Sequence, residues 1–305
     1  MSSFNHGRAW FTLSLLASLS TVGCGTSDPT GSGGEGTISF TTWGEEYIED
    51  EIPVDSKEVT GFVDGWTVKY SKFLVNFQKL EVADAKGNVA ASMDGSLLFD
   101  NHVKGVKPII TFPDIEAKAW TNVSYEIAPV TKNTELHDSA TEEDRQMMED
   151  AGYSFYAAGT ATKDEVTKTF GWGFAIGTRY EKCHSEQDGK DELGVVVTNN
   201  AEVELQLTTH GDHLYYDRLQ ESPNPAIVTS LRFDTLAAAD ADEDGKITLD
   251  ELNAADLFVE SCSDKPVACY DPSGLDAPTQ GAFVTSLART IGHFRGEGEC
   301  PISEL

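Results

Sequence analysis

Between Ile38 and about Asp217, large apolar residues recur at every second position, in short runs broken by Gly, Pro, Asn and Asp. That is the pattern of strands with one buried face. Trp66, Val68 and Tyr70 open one run; the apolar phase then slips to Phe73, Val75 and Phe77, and again to Leu80 and Val82. A one-residue slip turns side chains to the opposite face of a sheet, so a bulge is expected near Ser71 and Lys72. Asp84-Ala85-Lys86-Gly87 carries turn chemistry. Val123, Tyr125 and Ile127 form another strand, as do Val203, Leu205 and Leu207. Phe170, Trp172, Phe174 and Ile176 alternate with Gly171, Gly173 and Ala175, a face that is either thin or closely approached by a neighbour. One helix interrupts the strands: Ser139-Ala140-Thr141-Glu142 has capping-box spacing and Gly152 can end the element, which reads as a surface insertion.

From about Pro223 the pattern turns helical, with Leu231, Phe233 and Leu236 before an acidic stretch, Leu249, Leu252 and Leu257 after it, and a last amphipathic segment from Ala282 to about Phe294. The expected fold is mainly β with a smaller α part: an antiparallel β-sandwich over 38–218, followed by a helical segment over 219–305 packed on it.

Composition narrows the partners. The 305 residues carry 51 Asp plus Glu against 22 Lys plus Arg, a formal charge of -29. Such a field repels phosphate backbones, which argues against nucleic acid and leaves cations open. With 39% hydrophobic residues the chain has enough apolar mass for a packed core.

At the N-terminus, His6 and Arg8 precede the apolar run Ala9 to Leu19, too short to span a bilayer and followed by small residues, so 1–23 reads as an export signal. Thr21-Val22-Gly23-Cys24 resembles the lipobox of bacterial lipoproteins, with Thr21 where the family usually has Leu. The resemblance implies acylation of Cys24 and attachment to a membrane, and Gly25 after the Cys implies the outer membrane. Residues 24–37 then form a flexible, Gly- and Ser-rich tether. The body is similar to the broad class of β-rich bacterial surface lipoproteins, a class with metal-handling members. Four further cysteines in an exported chain suggest two disulfides. Cys262 with Cys269 is favoured because the pair closes a small loop, leaving Cys183 with Cys300.

The most specific motif is Asp240-Ala241-Asp242-Glu243-Asp244-Gly245-Lys246-Ile247-Thr248-Leu249-Asp250-Glu251. Calcium takes six to eight oxygens, and this spacing supplies them. The stretch resembles the EF-hand loop. The resemblance implies Ca2+ held by Asp240, Asp242 and Asp244, by the backbone carbonyl of Lys246, by Thr248 directly or through water, and by bidentate Glu251, with Gly245 at the sharp turn. EF-hands ordinarily pair through the residue at the position of Ile247, but there is one loop here, so packing on its own domain is expected to replace the partner. Extracellular modules bind calcium with dissociation constants of about 0.1–1 mM, which implies a structural role.

A second candidate is Thr209-His210-Gly211-Asp212-His213, just after a strand. His210 and His213, with Asp212, could hold zinc or copper, since neutral imidazole is the commonest transition-metal ligand; ordinary loop histidines bonded to backbone or carboxylates are the competing reading. His184 beside Cys183 and His293 near Cys300 would approach one another if those cysteines bond. Trp66, Trp120 and Trp172 lie in strand patterns and are expected in the core. Nucleophile-elbow, P-loop, zincin and dinucleotide motifs are missing from the sequence, so the expectation is a binding or structural surface protein rather than an enzyme, with a transition-metal binder as the alternative.

Overall fold

The computed structural model describes residues 33–187, 189–219, 229–257, 270–271 and 277–305. The export signal, Cys24, and the cysteines Cys262 and Cys269 lie outside the described residues. The protein is mainly β, 46% strand against 15% helix, and residues 33–305 make one compact unit. Two sheets dominate. The smaller runs in the order Gly292–Phe294, Glu202–Thr209, Glu35–Trp43, Lys107–Glu116. Its two central strands, Glu35–Trp43 and Glu202–Thr209, run parallel, an exception to the expected antiparallel pairing. The larger centres on Phe155–Lys163, Thr67–Ala83 and Asn122–Ile127, flanked by Val166–Phe174 and Lys246–Thr248 on one side and by Thr178–Tyr180 and Ile302–Glu304 on the other.

The long strand Thr67–Ala83 explains the slipping phase. Its pairing with Phe155–Lys163 shifts register between Tyr70 and Lys72, the expected bulge. A second shift falls between Gln78 and Glu81, where Lys79 has φ 48°. Each bulge returns the apolar set to the same side, so Val68, Tyr70, Phe73, Val75, Phe77, Leu80 and Val82 are all buried. They share one core with Ile38, Phe40, Leu205, Leu207 and Phe294 from the smaller sheet. The two sheets therefore bury their apolar faces in a common interior.

Gly171 and Gly173 are closely approached rather than thin: a Cβ would stand 2.8 Å from the Tyr156 hydroxyl and 2.0 Å from the Tyr153 ring. Helix Glu142–Ala151 begins two residues later than the spacing suggests. Thr141 is the N-cap, and it exchanges hydrogen bonds with Asp144. Ser139 instead accepts from the Asp100 backbone N–H through its hydroxyl. The helix buries Met148 against Leu74 and Leu98, so it covers the outer face of the larger sheet.

Three expectations need correction. The tether is shorter than 24–37, because the first strand begins at Glu35. Gly36 belongs to that strand, where a Cβ would meet the Ala201 carbonyl at 2.7 Å. The part after 219 is not a helical appendage: Lys246–Thr248, Gly292–Phe294 and Ile302–Glu304 are strands of the two sheets. Finally, the amphipathic segment 282–294 is a helix only over Gln280–Ala288. Thr290 then turns its hydroxyl back to the Leu287 carbonyl, and the next residues pair with Glu202–Thr209.

Cys183 and Cys300 are bonded, fastening the chain end to the body across a separation of 117 residues.

Candidate functional site

Strand Glu202–Thr209 ends beside Gly292–Phe294, with Thr208 opposite His293. His210 lies two positions beyond Thr208, on the same side of the chain, so this register brings His210 and His293 together. Their ring centres are 4.2 Å apart. Gly211 then permits a close turn: a Cβ there would meet Ile48 at 2.6 Å and the Tyr70 ring at 2.8 Å. The Tyr70 hydroxyl donates to the Gly211 carbonyl at 2.6 Å. The single helical turn Asp212–Tyr215 follows and carries His213 back over the pair. Its ring centre is 5.4 Å from that of His210 and 4.9 Å from that of His293. Thus the two histidines expected from the sequence do meet, and His293 joins them.

Carboxyls surround the imidazoles. Ligand atoms of His210, Asp212 and His213 lie within 4.8 Å of one another, as do those of His210, His293 and Glu297. Glu45, at the start of helix Glu45–Glu49, sets one oxygen 3.5 Å from His210 Nδ1. Tyr216 donates to Asp212 at 2.8 Å.

Hydrogen bonding assigns the free lone pairs. The Thr290 hydroxyl gives its proton to the Leu287 carbonyl at 2.8 Å, so toward His213 Nδ1, 2.9 Å away, it acts as acceptor. His213 therefore carries its proton on Nδ1, and Nε2 is left as an acceptor. His210 Nε2, His293 Nδ1, one Asp212 oxygen and one Glu45 oxygen are buried with no hydrogen-bond partner. Four orphaned polar atoms in one place would cost on the order of 1–3 kcal/mol each, unless a bound group satisfies them.

The protonation states point the same way. Burial, with the neighbouring imidazoles, pushes His213 well below the usual histidine range and His293 down to about 3, so both are neutral at pH 7. Burial, reinforced by Asp212 and Glu297, raises the Glu45 carboxyl to about 9, and burial raises Asp212. Neutral imidazoles offering lone pairs, among carboxyls that a cation would re-ionise, form a receptive set for a divalent metal. Asp212, His213, His293 and Glu297 face a cavity of about 770 Å³, lined also by Tyr216 and Arg218 among others.

His184 does not join the cluster; its Nδ1 is 2.6 Å from Asp191. It does face a second cavity shared with His213, His293 and Cys300. Glu45 and the full role of His293 were not legible in the sequence, because neither has a local motif and only strand register unites them with His210.

The acidic loop is a separate place. Asp240, Asp242 and Glu251 bring ligand oxygens within 4.8 Å of one another. Asp244 uses one oxygen to accept from the Lys246 backbone N–H at 2.7 Å. Gly245 has φ 83° and donates to Asp240 at 3.0 Å. Thr248 caps helix Leu249–Ala254, with Glu251 returning the bond. The preceding helix, Asp234–Ala237, is one turn long, so full flanking helices are not formed. Residues Lys246–Thr248 pair in parallel with Thr169–Gly171, and Trp172 donates its indole N–H to the Ile247 carbonyl at 3.0 Å. The body of the protein thus occupies the edge through which a second loop would pair.

Comparison with protein-family models, with curated proteins and with solved structures finds no match for this chain. The trptophan expectations hold: Trp66, Trp120 and Trp172 are core residues.

Proposed function

We propose that this is an exported metal-binding protein whose working centre is formed by His210, His213 and His293, taking a borderline divalent cation, Cu2+ or Zn2+. The observation that carries the reading is three buried imidazoles around His210, which shares one ligand group with His213 and Asp212 and another with His293 and Glu297; His210 and His293 each keep an orphaned nitrogen. Nitrogen and carboxylate donors without thiolate suit those ions better than softer or harder ones. The disulfide supports an oxidising compartment. The reading includes lipid attachment at Cys24 and an outer-membrane location, which fatty-acid labelling of the wild type and of Cys24→Ser would test. The centre itself is tested by metal titration of the purified protein. One equivalent of Cu2+ or Zn2+ should bind, and His293→Ala should weaken it at least 100-fold, on the order of 3 kcal/mol. Equal affinity in the variant would reject the centre.

The acidic loop supports a second, compatible reading: a structural Ca2+ site in an EF-hand-like setting. One oxygen of Asp240 is buried without a partner inside the carboxylate set. An ion there would rigidify 240–251, which the pairing of Lys246–Thr248 already fastens to the strand Val166–Phe174.

A further inference from the structure

The strand that receives the acidic loop also presents it with a cation. Lys168 lies on Val166–Phe174, one residue before the Thr169–Gly171 segment that pairs with Lys246–Thr248. Its ammonium group pairs with the Asp240 oxygen that also accepts from Gly245 N–H. The Asp240 side chain is covered and that of Lys168 is 19% exposed, so the pair is held in place by its surroundings. Asp240 supplies the first oxygen of the loop, and its other oxygen is the one without a partner. One carboxylate therefore serves two cations, one tethered by the fold and one free in solution.

We propose that Lys168 is a tethered competitor that sets the loop's calcium affinity, holding the site weak. The proposal rests on the calcium reading of the loop. A divalent ion at the Asp240, Asp242 and Glu251 oxygens either displaces the ammonium from Asp240 or sits against it, and both lower affinity. Affinity in such loops is tuned by the net charge of the ligand set and by its rigidity, and Lys168 removes one unit of negative charge from that set. The fold fixes the competitor's local concentration, since loop and lysine are joined by the sheet. The consequence is a site that fills where calcium is abundant and stands empty where it is scarce, with the ammonium then covering a carboxylate that would otherwise be buried and uncompensated.

Calorimetric titration with Ca2+ alone, on full-length wild type, Lys168→Met, Lys168→Gln and Lys168→Arg, tests this, with thermal melts to establish that each variant folds. The neutral variants should bind calcium on the order of tenfold more tightly than wild type, and Lys168→Arg should match wild type. Two neutral side chains of different shape guard against one of them failing to fold. Unchanged or weaker binding in both, with wild type still binding, would overturn the competitor and leave the calcium site standing. An absence of binding in wild type and in every variant would overturn both.

Discussion

The histidine cluster and the acidic loop both gather metal-capable side chains, yet they are built in opposite ways. The loop is contiguous: its carboxylates lie within twelve residues, Asp242 and Asp244 are exposed, and its own backbone N–H groups occupy many of the oxygens. The cluster is assembled from helix Glu45–Glu49, the end of one strand and the middle of another, and it is buried. A contiguous site can form wherever the chain turns; an assembled one exists only once the sheets have packed. The contrast teaches that compensation of a buried group, not burial alone, makes the difference in chemistry. In the loop, Lys168 and backbone N–H groups hold the buried Asp240 carboxyl below the usual carboxylate range, whereas in the cluster burial without such a cation raises Glu45 and Asp212 and lowers His213 and His293.

The largest expected effect bears on assembly. Replacing Cys183 and Cys300 with Ser should cost up to about 4–5 kcal/mol of stability, given the long loop they close. Denaturant unfolding measures it, and the cluster should lose its metal at lower denaturant than the loop loses calcium. If both were lost together, the two sites would not differ in their dependence on packing.

Next comes pH. For His293 and His213 the folded pKa lies below the unfolded value, so the unfolded chain takes up protons first as pH falls. Their contribution is complete above about 6.5 and declines toward pH 3. Glu45 has the opposite sign: its folded pKa is raised to about 9, so its contribution is complete below the unfolded value and is lost as pH rises. Below about pH 6.5 the two histidines outweigh Glu45, so the metal-free protein should be most stable near pH 6.5 and should lose on the order of 2–4 kcal/mol by pH 9. Glu45→Gln should flatten that alkaline limb in thermal melts, and bound metal should flatten it in the wild type. An alkaline limb identical in Glu45→Gln would show that the cluster's electrostatics lie elsewhere.

Thr290 hydrogen-bonds to the cluster through His213 Nδ1. Thr290→Val should weaken Cu2+ or Zn2+ by about 10–100-fold, the usual cost of removing a bond that orients a ligand imidazole. The same variant should leave calcium binding unchanged, which titration of both ions would check.

The smallest effect belongs to the loop. Glu251→Gln should abolish the stabilisation by calcium, about 1.4 kcal/mol at ten times the dissociation constant. A melting temperature that responds to calcium over chelator as strongly in the variant as in wild type would exclude the structural role.

Much of the body was legible because it obeys local rules. The period of two marked the buried positions of Thr67–Ala83, and the phase slip located its first bulge, since alternation leaves no other way to keep one face apolar. Propensity served less well after Pro223. Short strands such as Lys246–Thr248 and Gly292–Phe294 hold too few residues to show a period, and they are strands because an existing sheet offers an edge. The helix Asp234–Ala237 likewise buries Leu236 but stays one turn long, shorter than an EF-hand pattern would have it.

By itself the sequence determined the alternating strands, the twelve-residue acidic loop and the pair His210 and His213, because in each the relevant residues are neighbours along the chain. The pairing of Cys183 with Cys300 was also expected from the cysteine count, and only the tertiary structure decided that His293 and Glu45 join that pair of histidines and that Lys168 meets Asp240. Those contacts join residues far apart in sequence, and no local spacing encodes the register that brings them together.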